Sequence, residues 1–307
     1  MTDDQELDER RTQIENVWRD QRRRMLDIGY RMLGSVTEAE DVTSEAYTRL
    51  LAADLDAIDD VVGWLVAVTG RLCVDRLRSS DLRRRAYVGP WLPEPIVNAV
   101  DRAALDPADR VTLDDSIRMA LLVVLEQLSP AERTAFVLHD MFGVAFDEIG
   151  TIVGRSPAAC RQLASRARRR IQNHPETPRA TISRAELERV AQRFADACTI
   201  GSIDALIDVL DPDVVGDFDS GGSVHGAPLD AISGAANVAR VLIRAFAQPT
   251  GFTFDVIDVN GDPGVIVSVR ERIVAVIALS VKHGRVDIIH AVGHTAKLAH
   301  LQARDDR

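Results

Sequence analysis

Leu128-Ser129-Pro130-Ala131-Glu132-Arg133 opens, and Ser156-Pro157-Ala158-Ala159-Cys160-Arg161-Gln162-Leu163-Ala164-Ser165-Arg166-Ala167-Arg168-Arg169-Arg170-Ile171 closes, the stretch whose reading decides the fold. Ser129 is an N-cap, Pro130 takes the first helical position, and Glu132 stands where it completes a capping box, so a helix starts there. Val144 to Val153 forms a second, shorter amphipathic helix, which Gly154-Arg155 breaks. Ser156 caps a third helix and Pro157 opens it. At about 100° per residue, Cys160, Leu163, Ala164, Ala167 and Ile171 share one face, while Ala158, Gln162, Ser165, Arg166 and Arg169 share the other. The first face packs and the second is free to touch a partner. Two short helices, a tight turn and an arginine-faced helix read as a helix-turn-helix.

With 47 acidic against 37 basic residues the chain carries a net charge of −10, which is not the global signature of a nucleic-acid binder. The sign is unevenly distributed, however. Between Arg155 and Arg170 there is Arg at 155, 161, 166, 168, 169 and 170 and no Asp or Glu. That reversal is the footprint of a phosphate-contacting helix. A merely solvated basic helix would carry the same charge, but the two helices and turn ahead of it favour recognition. Arg71, Arg76, Arg78, Arg83, Arg84 and Arg85 form a second cluster. Lys occurs only at 282 and 297, so the positive charge is nearly all Arg, which suits bidentate contacts to phosphate and guanine.

A length of 307 residues allows two or three domains. No apolar run approaches the roughly 20 residues that span a bilayer, and Met1 to Arg11 has no signal-peptide core, so a cytoplasmic protein with no membrane partner is expected. Cys73, Cys160 and Cys198 are odd in number and widely spaced. They read as buried or incidental thiols, with neither a disulfide nor a metal site.

Upstream, Ile14 to Leu33 follows a helical pattern that stops at Gly34. Thr37-Glu38-Ala39-Glu40 has the form of a capping box and starts a helix to about residue 52. Val61 to Arg85 gives a third helix, with Trp64 among its apolar positions. Three prolines between Pro90 and Pro95 then stop helix formation, and the segment to about Pro107 reads as a linker, with helix resuming near Thr112. Trp91 and Leu92 on that proline-bounded segment fit a docking element, or equally a loop packed on its own domain.

Downstream, Asn173 to Pro178 is a short second linker, and Ser183-Arg184-Ala185-Glu186 caps a new helix, followed by Ile203 to Ile207. Past residue 212 the period changes to that of strands: 214–218, 252–259, 264–269, 273–279 and 286–292, with a helix at 235–247 between the first two. Helices followed by an antiparallel sheet make an α+β plan.

Residues 14–172 resemble the extracytoplasmic-function class of bacterial sigma factors. Arg31-Met32-Leu33-Gly34 and Thr37-Glu38-Ala39-Glu40-Asp41-Val42 are similar to its region 2, and Leu128 through Arg170 to its region 4. Trp91-Leu92-Pro93-Glu94-Pro95 and the C-terminal extension resemble the SigJ-type subgroup, which carries a fused SnoaL-like domain. Asp219-Ser220-Gly221-Gly222-Ser223 stands where the subgroup has a glycine-rich motif, without its third Gly and following Lys, and His294-Thr295-Ala296-Lys297-Leu298 where it has Asn-Pro-x-Lys-Leu. The resemblance implies a multidomain chain: two all-α sigma domains, region 2 at 10–87 and the region 4 helix-turn-helix at 111–173, then an α+β cone-shaped SnoaL-like domain at 183–301, with linkers at 88–110 and 174–182.

Residue by residue, the resemblance implies that Glu40, Asp41, Val42, Glu45, Ala46 and Leu50 dock on core RNA polymerase. Arg71, Arg76, Arg83 and Arg84 handle the −10 element of promoter DNA. Arg155, Arg161, Gln162, Ser165, Arg166 and Arg169 read the −35 element, with Arg168 and Arg170 placed for phosphates. Trp91 to Pro95 form a regulatory linker, and Asp219, Gly221 and Gly222 belong to a C-terminal pocket motif. No cofactor is implied, and a small ligand in the pocket stays open. Asp217, Asp219, His225, Asp255, His290 and His294 are the acid or base candidates if the domain is instead a SnoaL or ketosteroid-isomerase enzyme with an appended DNA-binding module. A repressor-like factor is a third reading. Two DNA-facing regions favour the sigma factor, since a repressor needs one reading head and a dimer interface.

Overall fold

The computed structural model describes residues 3–85, 87–97, 117–174, 182–222, 228–246 and 251–302, without the side chains of 3–11, 13 and 80–85. The chain divides into two compact units, Met1–Leu82 with Leu125–Asn173, and Arg83–Val124 with His174–Arg307. Most of both sigma-like helical segments therefore falls within the first unit, while the proline-bounded linker and the start of the region 4 segment, through Val124, belong to the second.

In the first unit, α1 spans Asp3–Leu33, α2 Val36–Ala52 and α3 Val61–Arg85. Gly34 ends α1 in the left-handed region, its amide donating to the Tyr30 carbonyl. The cap of α2 is Ser35, whose hydroxyl accepts from the Glu38 amide, so the helix starts ahead of the expected Thr37 box. Ser35-Val36-Thr37-Glu38 carries the same Ser/Thr-x-x-Glu pattern two residues earlier, and a helix takes one start. Met25, Ile28, Met32, Val42, Ala46, Leu50, Leu65 and Leu72 are among the buried residues of these helices. Gly29 permits the α1–α2 crossing, since a Cβ there would stand 3.1 Å from that of Ala39.

α4 (Met119–Glu126) lies in the second unit up to Val124, and the chain re-enters the first at Leu125, continuing through α5 (Pro130–Phe136), α6 (Phe146–Val153) and α7 (Pro157–Asn173). Ser129 and Glu132 form the expected reciprocal capping box, and the Ser156 hydroxyl accepts from the Ala159 amide at the start of α7. A π-helical turn over Val137–Met141 extends α5, which the sequence pattern does not announce. Arg133, 1% exposed, binds Glu126 at 2.7 Å and donates twice, at 3.3 Å, to the carbonyl of Arg31. That carbonyl lies in the last turn of α1, among the groups that a helix end offers to outside donors. Gly70 of α3 leaves space for Ile152 and Leu138, each about 3.3–3.4 Å from where its Cβ would stand.

The second unit begins with residues 87–97, in extended and turn backbone. After α8 (Arg184–Ile200) and α9 (Ile203–Val209) come β1 (Leu210–Asp219), β2 (Ile232–Ser233), α10 (Ala235–Ala245), β3 (Phe252–Val259), β4 (Asp262–Val269), β5 (Arg272–Lys282), β6 (Arg285–Val292) and a short C-terminal α11 (Ala299–Gln302). The strands form one sheet in the order β2-β1-β6-β5-β4-β3, antiparallel except for β1 beside β6. This is the α+β plan expected from the change of period.

Side chains alternate across the sheet. On one face, Val214, Phe218, Val265, Val267, Ile277, Leu279, Ile289 and Ala291 pack with Phe194, Leu206, Val238 and Leu242 of the helices. On the other, Ile266, Val276, Ala278 and Val292 pack with Leu92 and Val97 of the linker, Met119 and Val123 of α4, and Leu298 and Leu301. The linker thus covers a sheet face. Among the described residues no helix is long and apolar enough to cross a membrane.

Candidate nucleic-acid interface and the docked linker

On α7 the expected inward face is the observed one: Cys160, Leu163, Ala164, Ala167 and Ile171 are buried. Arg155, Arg161, Gln162, Arg166 and Arg169 are exposed, and Ser165 and Arg168 half-buried. The arginines divide into two groups. Arg166 and Arg170 reach the two carboxylate oxygens of Glu132 at 3.2 and 3.3 Å, and Arg168 reaches Asp140 at 2.6 Å. Arg161 lies over the Phe146 ring, 5.8 Å from its centroid. Arg155 and Arg169 make no ion pair with a described residue. Burial opposes ionisation of Glu132, but bonds from the Ser129 hydroxyl and amide and the Arg166 and Arg170 guanidiniums outweigh it and hold the carboxyl below its usual range.

In region 2 the expected polymerase-docking residues split by face. Glu40 and Asp41 are exposed and Glu45 half-buried, whereas Val42, Ala46 and Leu50 are fully buried. Those three form the apolar stripe that seats α2, a role that periodicity alone predicts. Arg71 is exposed and Arg76 pairs with Asp41 at 3.2 Å, while the side chains of Arg83 and Arg84 lie outside the described residues. Trp64, among the apolar positions of α3, is half-buried.

The linker is held mostly through its backbone. Leu92 donates its amide to Asp219 at 2.9 Å, and its carbonyl accepts from the Lys297 ammonium. The Pro95 carbonyl is 3.0 Å from His300 Nε2, and Ile96 exchanges two bonds with Asn260, at 2.9 and 3.1 Å. Asn260 and Gly261 form the β3–β4 hairpin turn, both at positive φ, as an Asn-Gly pair favours. Pro93 and Pro95, both buried, bring no amide hydrogen into the dock, so the proline run reduces the donors needing partners.

Beneath the linker Lys297 and Asp219 form an ion pair of 2.7 Å, with side chains 5% and 0% exposed. The ammonium is 3.5 Å from the centre of the Trp91 ring and 5.1 Å from that of Tyr87, inside cation–π range. Tyr87 donates to the second Asp219 oxygen, and burial together with that carboxylate pushes its phenol far up, so it stays a donor. Gly221 also donates to Asp219, at 3.2 Å. Its φ of 58° and its closeness to the His294 ring, 2.2 Å from where a Cβ would stand, demand glycine. Gly222, at φ 74°, follows in the same turn beside Val88.

These positions correct the pocket reading. Asp217, Asp219 and His290 lie on the linker face of the sheet, opposite the apolar face that meets α8–α10, because they alternate with Gly216, Phe218, Ile289 and Ala291. Asp217 and His290 stand 3.8 Å apart, beyond hydrogen-bond range. Asp255 is exposed on β3, His294 packs edge-on against Tyr87, and His225 and Ser223 lie outside the described residues. Lys297 was missed as a site residue. The signal available was one of only two lysines in the chain, standing at the Lys position of the subgroup's Asn-Pro-x-Lys-Leu motif.

Models of sigma-70 region 2 and sigma-70 region 4 match residues 17–83 and 118–171. The chain is 38% identical over 294 residues to the probable ECF RNA polymerase sigma factor SigI of Mycobacterium tuberculosis, covering 94% of this chain and 96% of that one. It belongs to the extracytoplasmic-function sigma factors. It is also 40% identical over 222 residues to the ECF sigma factor SigJ of M. tuberculosis, covering 72% of this chain and 70% of that one. The crystal structure of SigJ matches with a TM-score of 0.70 at 30% identity, over 92% of this chain and 98% of that chain. The likeness therefore runs through the α+β domain as well as both sigma regions. As a member of this family the protein is an alternative sigma factor that directs promoter recognition and transcription initiation.

Proposed function

We propose that this sigma factor binds core RNA polymerase through the outward side of α2, at Glu40, Asp41 and Glu45, and works in the cytoplasm, where the polymerase acts. Region 2 handles the −10 element with Arg71, Arg76, Arg83 and Arg84. Region 4 reads the −35 element with Arg155, Arg161, Gln162, Ser165 and Arg169, and with Arg166 and Arg168 once DNA displaces their carboxylate partners. The α+β domain acts as a fused regulator that captures the Trp91–Pro95 linker. The observation that carries the regulatory reading is the Lys297–Asp219 pair closed over by Trp91 and bonded to both polar backbone groups of Leu92. Family membership and the apolar packing of the sheet's helix-facing side support regulation over catalysis in that domain.

The first test is incubation of the purified chain with core polymerase and a promoter library. Association and enrichment of a two-part promoter are expected, and failure to bind core overturns the sigma reading. The regulatory reading is tested separately by deleting residues from about 180 onward. Promoter-directed transcription should change, and an unaltered level rejects regulation by this domain.

A further inference from the structure

The pairing of alternate arginines on α7 has a consequence for how selectively region 4 binds DNA. Glu132 is 8% exposed and fixed at the third position of α5, where its carboxylate also serves the capping box with Ser129. The Ser129 amide and hydroxyl, 3.2 and 2.7 Å from one of its oxygens, hold that carboxylate in place. Its two oxygens hold Arg166 and Arg170, one helical turn apart, and Asp140 holds Arg168 on the neighbouring side. Arg155 and Arg169, and Gln162 with them, carry no such acidic partner among the described residues. Six arginines therefore do not present six free charges.

We propose that Glu132, helped by Asp140, is a specificity-determining positioning residue of region 4: it holds Arg166 and Arg170 off the phosphate backbone, so that binding to random duplex depends on Arg155, Arg161, Gln162 and Arg169 and the paired arginines are released only on the cognate −35 element. The inference rests on the assignment of α7 to the −35 element. Phosphate contacts are blind to sequence, and each adds to affinity on any duplex, whereas base-edge contacts reward only the right one. A fixed carboxylate beside two arginines lowers the first kind of affinity and leaves the second. Phosphate must displace Glu132 before it can recruit Arg166 or Arg170, and random sequence supplies no base contact to offset that displacement.

The test uses holoenzyme assembled from core polymerase and the full-length chain, with binding measured on a cognate promoter and on random duplex across a salt series. Glu132→Gln keeps a capping-box side chain while removing the charge. Its plot of log affinity against log salt should steepen by about 1 to 2, at roughly 0.9 per added phosphate contact. Affinity for random duplex should rise severalfold, and the ratio of promoter to random binding should fall. Asp140→Asn, which touches no capping bond, should steepen the plot by about 1. Glu148→Gln makes the same charge change at an exposed position of α6 with no arginine partner among the described residues and should leave slope and ratio near those of the parent. A parent holoenzyme with no promoter preference overturns the −35 assignment and the proposal with it. A parent with preference, joined to Glu132 and Asp140 variants of unchanged slope, or to a Glu148 variant that steepens as much as they do, overturns the proposal alone.

Discussion

The Lys297 ammonium and the Asp219 carboxylate lie 2.7 Å apart with almost no exposure to solvent, and together they bind the amide and carbonyl of one linker residue, Leu92. Taking two charges out of water is costly, and only their mutual attraction and the surrounding hydrogen bonds offset it. Lys297→Met leaves Asp219 buried and uncompensated, so the α+β unit should lose about 3–5 kcal/mol in stability. Adding Asp219→Asn to that variant should cost less than the two single changes summed, since both act on one pair. Urea unfolding of the three variants reads both effects, and additive losses would show that the residues do not act as a pair.

Arg133 poses the same problem in the helical unit. Its guanidinium joins Glu126, whose side chain is 8% exposed, to the last-turn carbonyl of Arg31 in α1. Arg133→Met should cost about 3–5 kcal/mol by stranding Glu126. Arg133→Lys keeps the charge but loses the planar fork, so its cost should be smaller but still measurable. Denaturant unfolding followed by circular dichroism distinguishes them, and equal stability of parent and Arg133→Met would reject the structural role of the pair.

Acid should act through Glu132. Its folded-state carboxyl is held below the usual range, so its contribution to stability is fully present above the ordinary glutamate value of about 4.3 and is lost as pH falls through the depressed one. The stability difference between parent and Glu132→Gln should therefore be largest near neutrality and shrink below pH of about 4. Thermal melts of the two proteins at pH 7 and in acid give the comparison, and a difference independent of pH would mean that the carboxylate's charge is not what the fold uses.

Much of this was legible from local pattern. The faces of α7 follow from helical period, and the caps at Ser129, Ser156 and Ser183 from single residues whose side chains bond nearby amides. What was not legible depends on partners distant in sequence. Glu132 reads as a cap three residues from Ser129, and nothing local announces Arg166, which lies 34 positions away. Val42, Ala46 and Leu50 show the converse: family likeness places their helix against a partner, while periodicity alone marks them as the buried stripe that seats it. Asp219 looked like a pocket acid because strand residues alternate, and sequence does not say which face of the sheet is the interior. The linker's two candidate roles resolve in favour of packing on the α+β domain, through backbone bonds to Asp219, Lys297, Asn260 and His300 that no side chain of Trp91–Pro95 encodes.

Arg169 and Arg166 should respond differently to truncation, although both stand on the exposed side of α7. Arg169 has no carboxylate partner to release among the described residues, so a base contact made by it is lost in full in Arg169→Ala, a cost of about 1–3 kcal/mol on the cognate promoter. Arg166 must first leave Glu132 at 3.2 Å, so whatever it gains on DNA is reduced by the bond it breaks. Arg166→Ala should therefore cost less than Arg169→Ala on the promoter and change random binding little. Titrating holoenzyme on the promoter and on a duplex with a scrambled −35 element separates the cases. A loss for Arg169→Ala that is equal on both duplexes would assign that arginine to phosphate, and a larger loss for Arg166→Ala would make it the principal reader despite its tether.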